Sequence, residues 1–244
     1  MTFRDIGKRL SRNAPIAENW LRSLYNSLPE YFHDTPAARA QSYFRNKDNV
    51  QFIQIGAYDG VAGDPIRPLV ISNSSWSGVL VEPQRTAFSL LEKNYSEQRS
   101  RLTFINGLMT AHQNGSEELF YIHEDEIRKR ALPEWARELA SFDPSQIHKT
   151  FPNVSVASED FPAYTFEQLA SFLPSSRVDL IVMDVEGAEG RLIPSIDFEK
   201  HRVKFLIFEH KHLNNDDLGA VFEHLRTQSM SLKQFGRDTI AWRA

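Results

Sequence analysis

Val50-Gln-Phe-Ile-Gln-Ile-Gly-Ala-Tyr-Asp-Gly60, followed by Gly63 and Asp64-Pro65, is the stretch on which the fold turns. Val50 to Ile55 is a short β-rich run, and the glycines break it into a turn. Asp64 then reads as a helix N-cap, with Pro65 at the first helical position. Four further apolar runs follow the same logic. Gly78-Val-Leu-Val-Glu82-Pro83 precedes a helical stretch from Arg85 to Tyr95; Leu102-Thr-Phe-Ile-Asn106-Gly107 comes next; then Val178 to Asp184, and Val203 to Glu209. Val178 to Asp184 is nearly continuous in apolar residues, as a strand covered on both faces must be. Strands alternating with helical segments give a parallel sheet with helices on both faces. The rhythm breaks at Ser231–Phe235, Gly236-Arg-Asp238 and Thr239–Trp242, which reads as an antiparallel hairpin closing one edge.

Outside this core lie two additions. Residues 1–48 carry Trp20, Leu21, Leu24, Tyr25, Leu28, Tyr31 and Phe32 at helical spacing and are expected to form two or three helices packed on the body. Residues 49–244 form the main domain, interrupted at about 115–162 by an insertion. That insertion holds an expected strand from Glu118 to Ile122, a helical piece from Trp135 to Phe142, and several prolines. Insertions above the carboxyl ends of strands carry substrate contacts in α/β folds, so it is expected to be a lid with Trp135 stacking on the substrate.

A chain of 244 residues is long enough for one good-sized core, and 41% apolar and 25% charged residues are ordinary globular values. There is no cysteine, which removes thiolate zinc sites and thiol nucleophiles and suits a reducing, cytoplasmic compartment. The 28 basic against 32 acidic side chains leave a net charge of -4, the wrong sign for holding nucleic acid through its phosphates. No apolar run approaches the length of a membrane span, and the charge-broken start Met1-Thr-Phe-Arg-Asp does not resemble a signal peptide.

Chemistry points to the strand ends. The glycines at 56, 60 and 63 do not spell G-x-G-x-x-G, and Asp59 would set a negative charge against a pyrophosphate, so dinucleotide binding is disfavoured. A cofactor without phosphate but with a sulfonium and an ammonium suits an acidic loop, and S-adenosylmethionine is that cofactor. Glu82 closes the second strand 22 residues after Gly60, near the spacing at which an acid meets a ribose diol. Asp184-Val-Glu-Gly-Ala-Glu189 then places three acids at the end of the fourth core strand.

Taken together, Ile55–Gly60, Val81-Glu-Pro83, Thr165-Phe-Glu-Gln-Leu169, Asp184–Glu189 and Phe208-Glu209 resemble the FkbM-type family of S-adenosylmethionine-dependent methyltransferases, over about residues 50–243. The segment Leu132–Asp143 resembles an insertion of one branch. The resemblance implies a Rossmann-like class I methyltransferase fold with a mostly parallel seven-stranded sheet, and methylation of hydroxyl groups on sugars, glycans or secondary metabolites. The cofactor-binding residues expected are Gln54, Gly56, Ala57, Tyr58, Asp59, Gly60, Asp64, Glu82, Pro83 and Gly107. The family usually has Asp at Gln54, often Asn at Tyr58 and Lys at Val182; Gln54 still offers a hydrogen bond to an ammonium, without the charge.

For the proton of the acceptor hydroxyl, Asp184 and His210 are the candidate bases, with Glu186 facing the acceptor. A divalent ion on Asp184, Glu209 and His210 is the less favoured variant. His123-Glu-Asp-Glu126 reads as a solvated charge run. Base methylation is disfavoured because Asp184-Val-Glu-Gly187 lacks the proline and aromatic of an amine-gripping turn. The alternative from another class is a degenerate nucleoside-binding or interaction module, supported by Gln54 and Tyr58.

Overall fold

The computed structural model describes residues 34–113, 115–137 and 139–243, apart from the side chains of Glu134 and Trp135. The aromatic stripe from Trp20 to Phe32 lies outside the described residues. The chain divides into two compact units, Met1–Arg45 and Asn46–Ala244. In the first, α1 (Pro36–Tyr43) begins at Thr35, whose side chain accepts from the Ala38 N–H at 3.1 Å with proline in the first turn.

The second unit is built on a seven-stranded sheet in the order β10-β11-β9-β8-β1-β2-β3. Its strands are β1 (Gln51–Ile55), β2 (Ser77–Val81), β3 (Leu102–Ile105), β8 (Leu180–Met183), β9 (Phe205–Glu209), β10 (Ser231–Phe235) and β11 (Asp238–Trp242). The five central strands are parallel, β11 runs antiparallel to β9, and β10 pairs antiparallel with β11. The order reverses direction between β1 and β8, so a crevice opens above their carboxyl ends.

The pleat explains the near-continuous apolar runs. Ile53, Ile55, Val79, Val81, Ile181, Met183, Leu206 and Phe208 join one core cluster, which also takes residues of α6 (Phe166–Ala170), α7 (Glu189–Leu192) and α8 (Asn215–Thr227). The alternate residues Phe52, Leu80, Leu180 and Phe205 are equally buried on the opposite face. Each such side chain contributes on the order of 2 kcal/mol of transfer free energy. α2 (Arg67–Ser72) and α3 (Arg85–Asn94) connect the first strands. Helix α2 starts later than the sequence suggests: Asp64 Oδ1 accepts from the Ile66 and Arg67 N–H groups at 2.9 and 3.0 Å, which turns the chain before the helix rather than capping it at Pro65.

The insertion folds as a second sheet, in the order β4-β7-β5-β6. Its strands are β4 (Leu108–Met109), β5 (Ser116–Tyr121), β6 (Ala140–Ser141) and β7 (Ala157–Tyr164), with α4 (Glu124–Arg130) and α5 (Pro144–Thr150) between them. The helical piece expected over Trp135–Phe142 is instead a single 3-10 turn, Glu134–Arg137, followed by β6. Strand pairing wins there because Ser141 and Ala140 register against Phe120 and Tyr121 of β5. Among the described residues no helix is long and apolar enough to cross a membrane.

Candidate active site

An open cleft lies above the carboxyl ends of β1, β2 and β8. Gly56, Glu82, Pro83 and Asp184 form its floor, and Leu108, Met109, Leu119 and Phe142 its apolar wall. The floor exists because two strand ends touch. Gly56 has φ +74°, and a Cβ built on it would sit 1.8 Å from the Asp184 carbonyl oxygen. Its N–H and that of Ala57 both donate to the Val81 carbonyl, at 3.0 and 3.1 Å, which ties the glycine turn to β2.

Glu82 fastens the same turn from the other side. Its carboxylate accepts from the Tyr58 N–H at 2.9 Å and the Gln84 N–H at 2.8 Å, one on each oxygen. Burial pushes this carboxyl up to about 7, and the two amide bonds hold it from rising further. Each oxygen keeps a second lone pair, so the group can still accept two hydroxyl hydrogen bonds. Tyr58 stands at φ +47°, a left-handed position that asparagine tolerates better, so the Glu82 bond helps hold a strained residue. Asn106 Nδ2 secures the backbone beneath, donating to the carbonyls of Glu82 at 2.9 Å and Pro83 at 2.8 Å.

Asp59 and Asp64 are spent on the loop itself. Asp59 Oδ1 accepts from the Val61 and Ala62 N–H groups, both at 2.8 Å. Asp64 takes the Tyr95 hydroxyl at 2.8 Å and the Gln54 amide; burial, the largest influence, raises its pKa. Gln54 is 3% exposed, and its Oε1 has no hydrogen-bond partner. Of the expected cofactor residues, Gly56, Glu82, Pro83 and Gly107 line the cleft, while Gln54, Ala57, Tyr58, Asp59, Gly60 and Asp64 are not in its lining.

At the other end, the turn after β8 is organised by Glu189. This buried carboxylate accepts from the Val185 N–H at 2.8 Å and the Gly187 N–H at 2.9 Å, holding Glu186 at φ +53° between them. Burial pushes Glu189 up to about 8. Asp184 and Glu186 both line the cleft. Asp184 is open to solvent yet crowded by the cleft walls: partial desolvation first, then the charges of Glu209 and Glu186, push it up to about 7.

His210 turns away from this group, with Nδ1 2.9 Å from the Thr239 hydroxyl on β11. His212, not His210, takes the place beside these acids, its Nε2 2.9 Å from Glu186 Oε2 and 3.6 Å from Glu209 Oε2. Its pKa is raised, chiefly by the hydrogen bond to Glu186.

Phe142 brings the second sheet to the cleft. The Arg191 guanidinium lies 4.0 Å from its ring centroid and pairs with Glu117 at 3.4 Å, while Glu117 accepts from Thr110 at 2.6 Å. Trp135 lies in the 3-10 turn nearby in sequence, but its side chain is outside the described residues. Asn106 and His212 escaped the sequence reading of the site, while Phe142 was among the aromatics expected to stack on the acceptor and Glu189 was read only as one of three acids at the strand end. Glu189 alone carried a usable signal, an acid at the start of a helix and five residues after a strand's last acid, where it meets free N–H groups.

Residues 54–236 match the family described as the Methyltransferase FkbM domain. No curated protein sequence matches the chain. Among solved structures, the chain is similar to methyltransferase FkbM from Methylobacillus flagellatus KT, with 14% identity and a TM-score of 0.49, covering 91% of this chain and 52% of that one. It is also similar to the METTL16 MTase domain, with 12% identity and a TM-score of 0.44 over 85% and 65% of the two chains. The N-terminal domain of human METTL16 in complex with SAH gives 13%, 0.43, 85% and 66%. The chain thus spans between half and two thirds of these proteins. S-adenosylmethionine is the usual cofactor of such methyltransferases, and with the family match extending over three quarters of its length, this chain belongs to the FkbM methyltransferase family.

Proposed function

We propose that the protein transfers a methyl group from S-adenosylmethionine to a hydroxyl oxygen of a sugar, glycan or secondary metabolite. The observation that carries this reading is the floor of the cleft, where the Glu82 carboxylate and the Asp184 carboxylate stand on either side of the Gly56 turn. The residues fit the cofactor. Glu82 keeps two acceptor positions for a ribose diol, and Gln54 Oε1 is a buried acceptor lacking a donor, as an ammonium would supply.

When bound, the cofactor supplies a methyl group on a sulfonium, which departs as a neutral thioether. The chain's own task is then alignment and removal of one proton. Asp184 is placed to take that proton from the acceptor hydroxyl, and Glu186 to orient it. Leu119 and Phe142 cover the opposite wall, excluding water and offering an apolar face to a sugar ring or a metabolite ring. The net charge of -4 supports an uncharged acceptor over nucleic acid.

The test is calorimetric titration of S-adenosylmethionine and its demethylated product, followed by turnover with panels of glycans and natural-product alcohols. Binding together with turnover that is lost in Asp184→Asn supports the reading. Absence of binding overturns it, and tight binding with no turnover on any hydroxyl acceptor would favour the degenerate binding module.

A further inference from the structure

We propose that Glu186, Glu209 and His212 form a divalent-cation site at the edge of the cleft. Three ligand-type atoms, one from each residue, lie within 4.8 Å of one another. They arrive from three places in the chain: the turn after β8, the last residue of β9, and the turn beyond it. Two carboxylate oxygens and one imidazole nitrogen suit magnesium, manganese or zinc, and leave positions open for water or an acceptor oxygen. The His212 Nε2 already stands 2.9 and 3.6 Å from the two carboxylate oxygens, close to the roughly 3.0–3.5 Å between neighbouring ligands of an ion with bonds of about 2.0–2.2 Å.

The neighbours divide the donor atoms in a way that leaves this point open. Arg237 engages Glu209 through Oε1, at 3.3 Å, and leaves Oε2 facing His212. A separate observation concerns Glu186: its Oε2 is buried, and the polar group beside it is the His212 imidazole, 2.9 Å away. The imidazole answers one lone pair of this buried oxygen, and the second is left for a cation. Asp184 and Asp238 add further negative charge around the same spot, with Arg237 opposing them. Glu209 is shared with the set expected from the sequence, but His210 is bonded to Thr239 and Asp184 faces the cleft.

The role of the ion rests on the function proposed above. Bound beside Asp184, it would draw electron density from the acceptor oxygen, so that the hydroxyl proton passes to the Asp184 carboxylate while the oxygen forms its new bond to carbon.

The test uses chelator-treated, full-length protein and manganese as probe, titrated without cofactor or acceptor and followed by loss of the free-ion electron paramagnetic resonance signal. One ion per chain is expected, weakened more than about tenfold in both Glu186→Gln and His212→Ala, with His212→Asp restoring part of the affinity. Thermal melting of each variant separates lost ligation from lost folding. No manganese binding, or binding that neither substitution changes, overturns the site. Cofactor titration of the same samples keeps the two ideas apart. Cofactor binding without manganese binding refutes the ion site alone, and manganese binding without cofactor binding refutes the methyltransferase reading of the cleft.

Discussion

Replacing Gly56 by alanine puts a methyl group where the Asp184 carbonyl already is. The built Cβ lies 1.8 Å from that oxygen, and real Cβ atoms essentially never come within 3.0 Å of a neighbour. The ends of β1 and β8 must therefore part by more than about 1 Å, against a packed sheet on both sides. Three hydrogen bonds lie in the path: Asp184 N–H to Ile55 O at 3.0 Å, and the Gly56 and Ala57 N–H groups to Val81 O. Losing two of them costs about 2 kcal/mol, and an alanine at positive φ about 1–2 kcal/mol more. The expected destabilisation is about 3–4 kcal/mol, a large part of the roughly 5–15 kcal/mol that holds a typical domain. Gly63 provides the control. It has φ +70° but nothing within 4 Å of its built Cβ, so Gly63→Ala should cost only the backbone strain, about 1–2 kcal/mol. The assay is urea unfolding of both variants beside the parent chain, with cofactor titration of each folded form. Equal midpoints for the two variants would refute the reasoning, because only the contact with Asp184 distinguishes them.

Glu82→Ala should weaken cofactor binding by about 1–3 kcal/mol through lost hydroxyl bonds, and unchanged affinity in calorimetry would reject the ribose role. Glu82 and Glu189 have carboxyl groups pushed up to about 7 and about 8 from an ordinary 4.5, so the native state holds these protons more tightly than the unfolded chain does. Their contribution to stability should be level below about pH 4.5 and fall away as the pH rises toward the native values. Glu82 alone would account for about 3 kcal/mol of that fall; a urea midpoint that increases from pH 5 to 8 would contradict it. Phe142→Ala should raise the acceptor KM about tenfold or more while leaving cofactor affinity within about threefold, and the reverse pattern would move Phe142 from the acceptor to the cofactor.

The main sheet was legible in the sequence because buried parallel strands must be apolar on both faces, and Val178 to Asp184 or Val203 to Glu209 admit few other readings. The glycine turn and Glu82 were legible for the same kind of reason: a strand end with φ above zero and a buried carboxylate each demand a particular residue. Beyond that, legibility failed wherever contact was set by distant chain. His212 lies three residues beyond Glu209, and nothing local distinguishes it from His210; only Thr239 on the hairpin takes one histidine and leaves the other to Glu186. Ala140-Ser141 became a strand because Phe120 and Tyr121 offered an edge, overriding a helical local pattern. The loop acids Asp59 and Asp64 looked like ligands for a cofactor, yet their oxygens serve nearby N–H and O–H groups.

The second sheet leaves and rejoins the main one at nearly the same spot. β4 pairs in parallel with the end of β7, Leu108 against Ala163 and Met109 against Tyr164, and Thr110 N–H donates to the Tyr164 carbonyl at 2.9 Å. The backbone of everything between those two points is closed by one short seam, while Arg191 with Glu117 and Phe142, and Arg85 with Glu159, tie its side chains to the helices of the main sheet. Such an arrangement uncouples inheritance of the catalytic floor from inheritance of its wall. Exchange of residues 111–162 between chains whose seams and side-chain ties match would replace the wall of the cleft without disturbing the strand order beneath.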